Sequence, residues 1–140
     1  MSAMKQLPRT DNPPAVRTEF SDDRSWENVW ARIQEPSGDG FVANLHVVND
    51  PAYDGLSAEQ LPSILQQQSD WPFVVLIDKT ALSHQEHPVL VVDLLDEPGR
   101  TVRVVPSQLW AVENNLSIAN MGFAEFADAA GPDGIFRGWS

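Results

Sequence analysis

Asp22, Asp23, Asp50 and Asp78 each stand just beyond a stretch that reads as a β-strand, and Asp93 stands inside one. α/β folds gather ligands at the carboxyl ends of their parallel strands, so chemistry is expected there first. With Glu19, Ser21, Lys79 and Thr80 beside them, these four carboxylates would form an acidic cup of hard oxygen donors that suits Mg²⁺. The plainer reading is structural. Asp22 and Asp23 precede an amphipathic run, and their side chains can take up the orphan N–H groups of its first turn.

Asp93 poses a sharper question, because it interrupts Val89-Leu90-Val91-Val92-Asp93-Leu94-Leu95. A charge in such a run is costly unless hydrogen bonds hold it. Backbone groups or a Trp N–H satisfy it, or it sits on an exposed edge face, or it is a desolvated carboxylate usable as an acid or base. His84 and His87 flank Gln85-Glu86; two histidines three apart with an acid nearby can bind a metal, but no third ligand is near in sequence. Trp110, like Trp71 and Trp139, falls at an element edge, where an exposed ring near Arg100, Arg103 or Arg137 could anchor an interface. No Gly-x-Ser-x-Gly, phosphate-binding glycine loop or His-Glu-x-x-His occurs, so hydrolase, nucleotide and metalloprotease readings have no motif behind them.

The elements that must position these residues follow from apolar spacing. Residues 1–13, punctuated by Pro8 and Pro13, read as a flexible arm, and residues 14–140 as a single domain. Ala15 to Phe20 alternates as a first strand. Trp26, Val29, Trp30 and Ile33 make one helical stripe that Pro36 ends. Gly40 to Asn49 reads as a second strand. Ser57 to Leu65 is a helix with a capping-box start that conflicts with Pro62, and Phe73 to Asp78 is a strand covered on both faces. A hairpin over 87–106 turns at Glu97-Pro98-Gly99-Arg100, where Gly99 supplies the positive φ of a type II turn. A tight turn would pair Leu95 with Val102, Leu94 with Arg103 and Asp93 with Val104, leaving Arg103 and Asp93 on opposite faces. Residues 107–120 fit neither period. Phe123 to Ala130 is a short helix, and Ile135-Phe136 a last strand or a plug. Together these predict an α/β fold: a mixed sheet of about five strands, the first three parallel, with the hairpin adding an antiparallel strand and helices packed on the sheet.

Twenty acidic and nine basic residues give a net charge of −11. Such a field repels nucleic acid and anionic membranes and attracts a basic protein; it also simply keeps a small protein soluble. There is no cysteine, which excludes disulfides and thiolate sites and suits the cytoplasm. No signal-peptide core or apolar run of membrane-spanning length is present.

Pro88 to Leu94, the turn Asp96-Glu97-Pro98-Gly99-Arg100, Pro106 to Trp110, Glu113 to Met121, the start from Leu7-Pro8 to Asp22-Asp23, and Asp50-Pro51-Ala52-Tyr53 resemble a family of small acidic actinobacterial proteins of unknown function. The resemblance implies a stand-alone bacterial domain and transfers no catalytic residue. The expectation is a non-catalytic domain that binds a basic protein partner, in the manner of an immunity or antitoxin protein, without a cofactor. Two alternatives stand beside it. One is a small enzyme or metal-binding domain using Asp22, Asp23, Asp50 and Asp78, or Asp93; the other is a symmetric oligomer formed through the hairpin edge.

Overall fold

A computed structural model describes residues 4–65 and 70–139. Six strands, β1 (Pro14–Arg17), β2 (His46–Val48), β3 (Phe73–Ile77), β4 (Val89–Asp93), β5 (Thr101–Val104) and β6 (Ile135–Phe136), form one mixed sheet in the order β2-β1-β3-β4-β5-β6. Strands β1, β2 and β3 are parallel, as expected, and β4 and β5 form the antiparallel hairpin. The apolar pair Ile135-Phe136 is the sixth strand. It runs parallel to β5 and moves the hairpin away from the sheet edge.

The strands alternate between two cores. One face packs Ala15, Phe73, Val75, Ile77, Val91 and Val104 against four helices: α1 (Asp23–Gln34), α3 (Lys79–Ser83), α4 (Leu109–Ser117) and α5 (Phe123–Ala129). Helix α1 forms as its stripe requires. Asp22 caps it by accepting from the Ser25 N–H at 3.0 Å, and Trp26, Val29 and Ile33 are buried. The other face packs Val16, Val74, Leu76 and Val92 under Tyr53, Leu56, Leu61 and the short helix α2 (Leu61–Ile64). Residues 58–60 form a 3₁₀ turn, so Pro62 falls in the first turn of α2, where its missing N–H is no loss. Residues 4–13, expected as a flexible arm, lie along this same face. Leu7 is fully buried and donates to the Ile64 carbonyl, while Trp71 donates to the Thr10 carbonyl at 2.7 Å.

The first strand ends at Arg17 rather than Phe20, and the second strand and the hairpin differ from the sequence reading for local reasons. The second strand is three residues rather than ten, because Phe41 turns out to stack on Trp110 (5.1 Å) and the Asn44 N–H is taken by Glu113. In the hairpin, Val89, Leu90 and Val91 oppose Val104, Arg103 and Val102, so Asp93 does not face Val104. The ladder ends at Val92 and Thr101; beyond it the Asp93 N–H donates to the Arg100 carbonyl and the Gly99 N–H to the Asp93 carbonyl, and the Asp93 carboxylate takes the N–H groups of Leu95, Asp96 and Glu97 to close a longer loop. The turn at Glu97–Arg100 forms inside that longer loop, with Gly99 at φ 95°. The slip is an even number of residues, so each side chain keeps its expected face. Leu95, freed from pairing, is exposed.

Candidate functional site

The carboxyl ends of β1, β2 and β3 bring the expected acids to one pole of the sheet and then occupy them one by one. Arg17, the last residue of β1, is only 4% exposed and organises this pole. Its Nη2 donates to Asp23 Oδ1 at 2.6 Å, its Nε to the Glu19 carbonyl at 2.9 Å, and its guanidinium lies over the Phe20 and Trp26 rings. Asp22 is committed to the Ser25 N–H and hydroxyl, which hold its carboxyl below the usual range. Asp50 pairs with Lys5 and caps the turn at Pro51–Tyr53; the Lys5 ammonium lowers its pKa. Asp78 accepts the Ala81 N–H that starts α3 and a bidentate pair from Arg103, at 3.0 and 2.7 Å.

Arg103 therefore serves Asp78 and the Pro88 carbonyl rather than Asp93. The histidines also turn to local partners: His84 Nδ1 accepts from the Glu86 N–H, and His87 Nδ1 lies 2.9 Å from the Ala81 carbonyl. Among the described residues no three His, Cys, Asp or Glu side chains gather closely enough to hold a metal ion. Asp93 is 1% exposed, with three backbone donors at 3.0, 3.4 and 2.6 Å. That is the hydrogen-bonded state in which a carboxylate tolerates burial. Trp110 is half-buried in its stack with Phe41.

The opposite pole, where the three parallel strands begin, is built differently. Two adjoining hollows of about 540 and 390 Å³ share Asp11, Asn12, Asp70 and Trp71, the residues leading into β1 and β3. Arg9 and His46 line the outer hollow; Asn44 and the second half of α4, with Glu113, Asn114 and Ser117, line the inner one. Asp11 and Asp70 are exposed and form no ion pair among the described residues, and Glu113 is 3% exposed. Glu113 was not legible as a site residue. Its only signal is an acid one position beyond Val112 on a helix whose buried stripe is Leu109, Val112 and Leu116. Arg17 falls inside the run read as an alternating strand from Ala15 to Phe20, and only the end of β1 at Arg17 marks it as a buried cation.

A third cluster near the first pole clamps the C-terminal segment. Arg137 bonds Glu86 at 2.8 Å through both Nε and Nη2 and Asp133 at 2.7 Å, and it holds both carboxyls below their usual pKa.

No helix among the described residues is long and apolar enough to cross a membrane. No curated protein matches the sequence. The domain-of-unknown-function family DUF6924 matches residues 12–139, nearly the whole chain and both poles of the sheet, and the chain belongs to that family.

Proposed function

We propose that this chain is a non-catalytic interaction domain that binds a basic protein partner, as an immunity or antitoxin protein does. The supporting observation is how its charge is distributed. Among the described residues, five of the nine basic side chains, Lys5, Arg17, Arg100, Arg103 and Arg137, are spent in ion pairs with seven carboxylates. Asp93 and Glu113 are buried, so eleven of the twenty acids stay at or near the surface without a basic neighbour in ion-pair contact. Uncompensated surface charge of one sign steers an oppositely charged protein and discriminates against acidic ones. The same reading makes it a cytoplasmic protein of actinobacteria, which its lack of cysteine suits.

Immobilised chain exposed to lysate of its own organism tests the proposal. The expected result is stoichiometric retention of a basic protein, whose affinity, remeasured with purified components, falls steeply with added salt. Retention of no stoichiometric partner, or an affinity indifferent to salt, overturns it.

A further inference from the structure

Glu113 carries an observation that net charge does not account for. Although 3% exposed, it uses only Oε1, which accepts from the Asn44 N–H at 2.6 Å and the Asn114 side chain at 3.2 Å. Its Oε2 has no hydrogen-bond donor among the described residues. A buried carboxylate oxygen without a donor is costly until a donor or cation reaches it. The inner hollow that Glu113 lines also carries Asp11 and Asp70, and it has no Lys, Arg or His in its wall. The basic groups of this cleft, Arg9 and His46, belong to the outer hollow.

The acids around this hollow are not gathered tightly enough for a metal ion, whereas an organic cation can span wider gaps. A guanidinium suits a nearly buried acceptor better than an ammonium. It is flat and more weakly hydrated, so less is lost when it leaves water, and its several N–H groups can serve Oε2 and a neighbouring acceptor together.

We infer that the inner hollow is a socket for an arginine side chain of the basic partner, with Glu113 Oε2 accepting from the guanidinium. Asp11 and Asp70 set the field at its mouth. This inference rests on the reading of the chain as an acidic interaction domain and names the site and the group recognised.

The test titrates the full ¹⁵N-labelled chain with a blocked Gly-Arg-Gly peptide and with its lysine and citrulline counterparts. The arginine peptide is expected to shift the Asn44 amide and the Trp71 indole N–H saturably. Citrulline, which keeps the shape without the charge, binds about tenfold or more weaker, and lysine falls between them. Glu113→Gln keeps an acceptor for the Asn44 N–H and weakens the arginine peptide about tenfold. The surface double variant Asp11→Asn/Asp70→Asn weakens it about threefold and supplies the answer if Glu113→Gln does not fold. Absence of a saturable shift at Asn44 and Trp71 overturns the socket, as does lysine or citrulline binding as tightly as arginine, or wild-type affinity in the folded variants. A basic partner that binds Glu113→Gln with unchanged, salt-sensitive affinity removes the socket and leaves the interaction domain standing. Failure to bind any basic protein removes both.

Discussion

The two poles of the parallel strands spend charge in opposite ways. Where β1, β2 and β3 end, Asp23, Asp50 and Asp78 each have a cation of their own chain, and Asp22 and Asp78 also start helices. Where the strands begin, Asp11, Asp70 and Glu113 form no ion pair among the described residues, although Arg9 and His46 line the same cleft, and one of the three is buried. The end that α/β folds commonly give to ligands is here given to holding loops in place. The opposite end leaves its carboxylates outside any ion pair among the described residues.

The sharpest way to break this comparison is at Arg17. If the first pole is structural, Arg17→Ala removes a buried guanidinium with its ring contacts and costs about 3 kcal/mol in urea unfolding, without reducing partner affinity in the fraction that stays folded. Next comes Asp78→Asn, which weakens the α3 cap and the half-buried pair with Arg103 and costs about 1–2 kcal/mol by the same measurement.

A smaller effect is expected at the Arg137 clamp, read as the pH dependence of the unfolding temperature. Glu86 and Asp133 have folded pKa values below their unfolded ones. The stability they contribute is in place above an unfolded pKa of about 4 and is lost as pH falls through the lower folded values. Arg137→Ala removes that contribution, so the unfolding temperature of the variant falls less steeply than the wild type's between about pH 5 and pH 2. The smallest effect belongs to the second pole. Asp11→Asn/Asp70→Asn moves the unfolding temperature by no more than about 2 °C, and upward, because like charges are relieved and no partner is lost. A fall larger than that would show these acids to be structural too, and the contrast would collapse.

Much of the architecture was legible because period and punctuation agreed. The α1 stripe, the doubly apolar β3 and the Pro98-Gly99 turn each match one geometry, and their order predicts three parallel strands followed by a hairpin. Hairpin register was not legible. It depends on the longer loop that the Asp93 carboxylate closes by taking the N–H groups of Leu95, Asp96 and Glu97, an arrangement that spacing does not encode. Helix α4 was hidden because Glu113 adjoins its apolar stripe and because Trp110 points at Phe41, sixty-nine residues away in the chain. The proposed socket was least legible of all. Asp11, Asp70 and Glu113 come from three separate segments, the approaches to β1 and β3 and helix α4, which only the tertiary fold brings to one cleft.

Strand β6 contributes two residues, yet it lies against Arg103 and Val104. Without it, the Thr101–Val104 edge of β5 would be left open beside the valine-rich β4, and Phe136 would leave the first core. An open, valine-rich edge is a template for pairing with another copy. The last strand thus closes that edge, and a chain shortened before Ile135 is expected to aggregate.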